Sequence, residues 1–511
     1  MPISGTLPAS LRRRLRVLDP RPVTDLIVLR PGAVTLDEWR AIYRDAPVQL
    51  DFVCRADVEA SAATLWNMLA RTNGDAPAAP LVAASLGLEH ILAQATPGGD
   101  PLPDPVVRLM LALKIASFGQ GLSGVRWALV RHMADCLANN LLPIVPGPDP
   151  EGGEWRPLAH LAAGLFGHGD IRLNGEILPA ADALARKRIH PPTLGPKEGP
   201  ALLAGTQAVT AVALAALLEA ERLLQTTLVS AAFYEVSGGG ATSLLHPRVH
   251  RSRRHGGPID VSDALAALLT SDGDLPSWHG ASSNLPPDRH VQELGACLDH
   301  LRQVGRSLAE EADAVSDEAL VLWQSEELAS AGEPSHLPLL FAASGIARII
   351  LEIGEVSATR FRANGDGHAA ARHGIPPQVD IEVLLDDNRR RAGMANAPGQ
   401  GMDGTRAAIS ALLPMIGNTV LIVAHELIGT AGRHGAGESS ALAAVRAAFH
   451  ARIAPDDPAR IFIAELAAAA ELVQTGAIVK AAGIAMPAVG DSPARGRRGR
   501  GPGLAGIRPI P

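Results

Sequence analysis

Tyr43 and Tyr234 are the chain's only phenols, and both lie in sequence that reads as helix rather than loop. Tyr43 falls within the helical stretch LDEWRAIY, and Tyr234 lies near the end of a long apolar helix. Proton transfer near neutral pH would therefore fall to carboxylates and histidines in loop-like sequence. The candidates are Glu151 and Glu154 around Gly152-Gly153, and Asp288 and His290 on either side of Arg289. A further cluster, HPRVHRSRRH, sets His246, His250 and His255 close together. No carboxylate stands at ligand spacing beside them, so a solvent-facing basic loop is expected there and not a metal centre. Cys54, Cys136 and Cys297 are far apart and make no CxxC pair. Neither a zinc site nor a disulfide framework is suggested, and a cytoplasmic setting is expected.

The elements that would carry these residues are helical. After Pro105, apolar residues recur three and four apart, as in Val106, Leu109, Met110 and Leu113, the period of a helix with a buried face. Ala201–Leu224 reads as one long Ala- and Leu-rich helix. Leu294, Cys297, Leu298, Leu301, Val304 and Leu308 mark the stripe of another. Comparable runs lie at Leu337–Val356, Arg406–Leu427 and Ala459–Ala482. Gly- and Pro-rich segments at Pro143–Gly153, Ser237–Gly240, Leu285–Asp288 and Asn396–Gly404 separate them. Before the helices, the short β-like runs Leu26–Leu29 and Val48–Leu50 enclose LDEWRAIY.

Bulk composition agrees. Apolar residues make up 47% of the 511 residues but aromatics only 3%, so the core is filled by Ala, Leu, Val and Ile, which favours packed helices over a sandwich. The fold class expected is mainly α, a large bundle over residues 105–483. A small mixed region (1–104) precedes it, and a basic Gly/Pro/Arg tail (484–511), expected to be disordered, follows. A net charge of -7 gives no reason to expect nucleic acid. The N-terminal segment lacks an apolar stretch after its basic residues and does not read as a secretory signal. The most membrane-like stretch, Ala407–Ala424, is interrupted by Pro414 and Asn418 and is expected to be a buried bundle helix rather than a span.

Four stretches in order resemble the aromatic amino acid lyase family, the histidine and phenylalanine ammonia-lyases. They are VVRLMLALKIASFGQGLSGVR (Val106–Arg126); RPLAHLAAGLFGHGD (Arg156–Asp170); LPAADALA followed by KEGPALLAGTQAVTAVAL (Lys197–Leu214); and HPRVHRSRRHGGPI with EADAVSDEALV (Glu311–Val321). The resemblance runs from about Leu29 to about Leu472. It implies an almost wholly helical subunit in a tetramer whose active sites each take residues from three subunits. It also implies chemistry through a methylidene-imidazolone, formed when an Ala-Ser-Gly triad cyclises and loses water, with a tyrosine as base.

Against that pattern the site residues have changed. Aligning PLAH (Pro157–His160) puts Glu151-Gly152-Gly153 where Ala-Ser-Gly stands in the family. Gly152 has no β-carbon, so no β-hydroxyl can leave and no exocyclic methylene can form; a cofactor of this kind is not expected. The first tyrosine loop reads ARTNGDAPAAPL and the second SSNLPPDRHVQ, without tyrosine in either. The family's Leu-Asn-Gly-Thr-Gln is Leu203-Ala204-Gly205-Thr206-Gln207, which removes the amide that holds a substrate or cofactor oxygen. The Gly-Gly-Asn-Phe-His stretch is Ala331-Gly332-Glu333-Pro334-Ser335, and the late Gln-Glu pair is Gln400-Gly401. Arg289 lies one residue from the position of the family's carboxylate-binding arginine. His160, Lys197, Glu198 and Gln207 persist, and are expected to satisfy buried helix ends and cross-helix hydrogen bonds.

The relic pocket would thus comprise His160, Ala204, Gln207, Asp288, Arg289, His290 and Gln400, with no metal and no assembled cofactor. The function expected is a non-catalytic or accessory subunit in a homo- or hetero-tetramer with an intact lyase or aminomutase paralogue. One alternative is a lyase that dispenses with the cofactor by acting on a substrate with a good leaving group, such as a trimethylammonium betaine of histidine. Another is a binding protein for an amino-acid-like small molecule.

Overall fold

The two β-like runs near the N-terminus form parallel strands, β1 (Ile27–Leu29) and β2 (Val48–Leu50), with Ile27 opposite Val48. Parallel neighbours need a crossover, here supplied by α1 (Leu36–Tyr43). Thr35 starts that helix with a capping box: its hydroxyl accepts from the Glu38 amide, and the Glu38 carboxylate accepts from the Thr35 amide. Trp39, Ile42 and Tyr43 share the face turned to the core.

The computed structural model describes residues 26–71, 87–148, 155–236, 247–270, 290–330, 336–363, 381–395, 401–431, 438–453 and 462–490. Beyond α1 come α2 (Arg55–Arg71), α3 (Leu88–Gln94), α4 (Asp104–Gly119), α5 (Trp127–Ala138), α6 (Arg156–Leu165) and α7 (Ala180–Lys187). Then follow α8 (Glu198–Leu203), α9 (Gln207–Val236), α10 (Pro247–Arg253), α11 (Gly256–Leu269) and α12 (His290–Ala312). The last six are α13 (Leu337–Ala363), α14 (Ile381–Ala395), α15 (Gly401–Ala431), α16 (Ser440–Arg452), α17 (Phe462–Gln474) and α18 (Ala477–Ala482). Two small antiparallel sheets, which the apolar pattern does not announce, decorate the bundle: β3 (Leu142–Pro143), β4 (Asp170–Leu173) and β5 (Glu176–Pro179), and separately β6 (Ala319–Leu322) with β7 (Glu327–Ser330).

Helix α9 is the axis of the bundle. Its residues are mostly apolar and nearly all buried, the mark of a helix enclosed on every side. Helices α4, α12, α13 and α15 pack around it. The stripe Leu294, Cys297, Leu298, Leu301, Val304 and Leu308 of α12 is buried as its spacing predicts. Three stretches are long and apolar enough to cross a membrane, among them Leu337–Ala363 and Asp403–Ala431. The most apolar windows of these two are 61% and 72% buried against the chain itself, and Pro414 is accommodated inside α15.

Three expectations are corrected. Ala201–Leu224 is not one helix: Gly205, at φ +107, breaks it into α8 and α9, because no helical residue adopts a positive φ. Ala459–Ala482 is likewise split into α17 and α18 by Gly476 at φ +68; residues 459–461 lie outside the described residues. The HPRVHRSRRH segment is not a solvent-facing loop. Pro247–Arg253 is helical, with His250 buried and Arg251 and Arg253 exposed; His246 lies outside the described residues. The 491–511 part of the basic tail is also outside them.

Candidate functional site

The α8–α9 turn gathers most of the polar residues singled out by sequence. Lys197, in left-handed conformation at φ 63, precedes α8. Its ammonium donates to the Asp317 carboxylate at 2.7 Å and to the Ser123 carbonyl at 3.0 Å. Glu198, in the first turn of α8, is 1% exposed. Its carboxylate accepts from the Arg126 amide and Nε, both at 2.9 Å, from Arg126 Nη2 at 2.8 Å and from the Gly195 amide at 2.6 Å. After the break, Thr206 donates from its hydroxyl to Glu311 at 2.8 Å, and its amide donates to Ser316 Oγ at 3.2 Å. Gln207 Nε2 donates to the same Ser316 oxygen at 2.9 Å. A β-carbon on Gly205 would lie 2.5 Å from Gln207 Oε1 and 2.7 Å from Ser316 Oγ, so glycine is required by backbone angle and by space.

Beneath this turn lies Lys114, a residue that its apolar helix α4 hides from sequence inspection. It is 2% exposed. Its ammonium donates to the Ala204 carbonyl and to Gln207 Oε1 at 3.3 Å, and sits 5.0 Å from the Phe118 ring centroid. Burial, which disfavours the charged form, pushes its pKa down to about 7; Asp317 opposes that shift and Lys197 adds to it. Burial also raises the Glu311 carboxyl, against the Thr206 hydrogen bond and the influence of His336. His336 immediately precedes α13, and its carbonyl receives the Thr405 hydroxyl of α15 at 3.4 Å. The first turns of α9, α13 and α15 and the last turn of α12 therefore share one end of the bundle.

The described relic candidates separate into two groups. Ala204 and Gln207 belong to the turn, and His160 sits on α6, which packs against both α8 and α9. His160 Nε2 lies 2.9 Å from the Thr96 carbonyl, so Nε2 is the donor. His290 is at the opposite end. It begins α12, and its Nε2 lies 3.6 Å from Glu235 Oε1 near the end of α9. Gln207 and Glu235 are 28 residues apart on one continuous helix, which at 1.5 Å per residue is about 42 Å. One chain therefore does not bring His290 to Gln207. Glu151, Gly152, Gly153, Glu154, Asp288, Arg289 and Gln400 lie outside the described residues.

The persistent residues do what buried polar groups must. Lys197, Glu198 and Gln207 are satisfied by protein partners, and together they lock α8 and α9 to α4, α12 and the β6 approach. Sequence inspection missed Lys114, Ser316 and Asp317. A lysine between the apolar runs Leu109–Leu113 and Ile115–Ala116 of α4 was the available signal. Among the described residues, no group of three His, Cys, Asp or Glu side chains could hold a metal ion.

The model of the aromatic amino acid lyase family matches residues 34–383. Among solved structures, histidine ammonia-lyase from Trypanosoma cruzi superposes with a TM-score of 0.74 at 21% identity, covering 90% of this chain and 95% of that one. Tyrosine aminomutase from Streptomyces globisporus gives 0.75 at 18% identity, over 88% and 97% of the two chains. The ergothioneine-degrading enzyme ergothionase from Treponema denticola gives 0.75 at 17% identity, over 89% and 99%. At these identities the likeness is one of fold.

Proposed function

The chain belongs to the aromatic amino acid lyase family, and from that premise we propose that it is a member without the methylidene-imidazolone, acting as an accessory subunit beside an intact lyase or aminomutase paralogue. The residues at the triad position do not fit that cofactor, because Gly152 supplies no β-carbon from which a methylene could be made. Ala204 likewise offers a methyl group where the family pattern has an amide.

The observation that carries the proposal is the separation of the site candidates along α9. Ala204 and Gln207 stand about 42 Å, by helix rise, from the Glu235–His290 pair. A pocket that uses both ends has to draw them from different subunits. In a mixed tetramer, this chain would lend one end to a partner's site while the partner supplies the assembled electrophile. Gentle purification from the native cells, with native mass measured and every co-purifying chain identified, tests this. A mixed assembly containing an Ala-Ser-Gly lyase is expected. A homotetramer near 4 × 53.1 = 212.4 kDa, with no second chain, would overturn it.

A second reading is favoured by the likeness in fold to the ergothioneine-degrading enzyme. A quaternary ammonium is a good leaving group and needs no electrophilic activation, so a cofactor-free elimination from a betaine is chemically open to a chain of this kind. Release of trimethylamine from histidine betaine by the purified homo-oligomer would establish it, and its absence over a panel of such betaines would end it.

A further inference from the structure

Lysine is rare in this chain. Of its 46 basic residues only four are lysine, Lys114, Lys187, Lys197 and Lys480, and the other 42 are arginine. Lys187 and Lys480 are exposed, whereas Lys114 and Lys197 are 2% and 6% exposed and share one cluster beneath the α8–α9 turn. The distinction is chemical. Arginine keeps its charge in any protein environment, whereas a buried lysine can give its proton up.

The cluster holds three cations and three carboxylates, but Lys114 bonds to none of the carboxylates. Lys197 is paired with Asp317 at 2.7 Å. Glu198 is taken by Arg126, and Glu311 by the Thr206 hydroxyl. Lys114 is left with two neutral acceptors, the Ala204 carbonyl and Gln207 Oε1. Of the charged groups that act on it, Asp317 favours the ammonium and is already engaged, and Lys197 opposes it. In the turn above it, Ala204 and Gly205 are partly exposed between the buried Leu203 and Thr206.

We propose that Lys114, under the Ala204–Gly205 turn, is the seat for the carboxylate of a small organic acid. Without ligand, the amine is largely neutral in weakly alkaline solution, and its two hydrogens satisfy Ala204 and Gln207. An incoming carboxylate supplies an anion in direct contact with the amine and favours the ammonium, so one proton is taken up from solvent as the acid anion binds. The inference rests on the relic pocket lying at this turn and gives that pocket a ligand class. It needs neither a paralogue nor catalysis.

Cyanate reads the amine directly. Isocyanic acid adds across a neutral amine to give a carbamoyl group, with no leaving group and no change of oxidation state. At pH 7.5 an ordinary lysine is neutral in about one molecule in a thousand, whereas an amine titrating near 7 is mostly neutral. In the full-length protein, peptide mass spectrometry after cyanate treatment is expected to show Lys114 modified at least tenfold faster than Lys187 and Lys480. Saturating benzoate should slow Lys114 at least tenfold without affecting the other two, and the neutral isostere benzamide should leave all of them unchanged. A Lys114 rate no greater than that of the exposed lysines overturns the proposal, as does indifference to benzoate or equal protection by benzamide. An independent measurement needs no reagent at the amine: benzoate binding at pH 8 should take up close to one proton, and none in K114R, whose guanidinium is always charged. Binding to the wild-type protein without proton uptake also overturns it. Because every readout is made on the isolated chain, these results are separable from the co-purification that tests the accessory role.

Discussion

Replacing Gly205 by alanine should loosen the α8–α9 turn more than the loss of any one hydrogen bond in it. At φ +107 an L-residue is strained by about 1–3 kcal/mol. The new methyl would also sit 2.5 Å from Gln207 Oε1 and 2.7 Å from Ser316 Oγ, so the Gln207 amide must leave Ser316 or Lys114. Each such bond contributes about 0.5–1.5 kcal/mol net. Together these give a destabilisation of about 2–4 kcal/mol, a large fraction of the roughly 5–15 kcal/mol typical of a folded domain. Urea unfolding followed by far-ultraviolet dichroism should show a lower midpoint, and amide exchange should rise over residues 198–210 before it rises in α12. In a Ser316→Ala background one clash is removed, and the cost of Gly205→Ala should fall by about 1 kcal/mol. A G205A protein with the wild-type midpoint and unchanged exchange in this segment would refute the reasoning.

Glu198→Gln keeps the shape but weakens four accepting contacts. Because Arg126 is 34% exposed and can relax into water, the expected cost is only about 1–3 kcal/mol, read from the urea midpoint. In the core, Arg360 (3% exposed) holds Glu426 (0%) through Nε at 2.6 Å and Nη2 at 3.1 Å. Arg360→Met alone should cost about 3–5 kcal/mol, with much of it recovered in the double variant Arg360→Met/Glu426→Leu; failure of that recovery in a double-mutant cycle would mean that packing dominates. Burial pushes the His425 imidazole down to about 4. Between its unfolded pKa near 6.5 and 4, the unfolded chain holds a proton that the folded chain refuses, so stability should fall with pH across that window by up to about 1.4 kcal/mol per unit. His425→Gln should flatten that part of the profile in urea titrations from pH 7 to pH 4.5.

Much of the fold could be read from spacing, because burial in a bundle imposes a helical period that side chains cannot hide. The α12 stripe and the β1–α1–β2 unit appear where their apolar residues put them. What failed were the breaks. Gly205-Thr206 and Gly476 interrupt runs whose composition favours helix throughout, and a single residue at positive φ outweighs many weak propensities. The HPRVHRSRRH segment misled for the opposite reason: it is polar enough for a loop, yet one buried histidine is enough to seat a short helix against α11. Within the site, Glu198 and Gln207 were recognisable as structural because their types persist in a shared pattern. Lys114 was not: its place in an apolar run signals a buried amine, but the partners of that amine cannot be read from spacing.

The geometry of α9 also constrains how such a chain can change. Its Gln207 and Glu235 ends are joined by uninterrupted helix packed on all sides, so no loop movement within one subunit can close the distance between the turn and His290. The turn is held by bonds internal to the chain: Lys197 to Asp317, Glu198 to Arg126, Gln207 to Ser316. Apart from Arg126, those partners are buried and mutually satisfied, and losing one leaves another unpaired in the interior, at a cost of a few kcal/mol. A residue that faces only ligand carries no such penalty when the ligand changes. Replacement of an amide by the methyl of Ala204 can therefore proceed while the polar frame around it stays intact, and one end can drift independently of the other. In an oligomer whose pockets each combine ends from different copies, a chain with one altered end still presents the other in working geometry. That is the physical condition under which an accessory subunit of this family can persist.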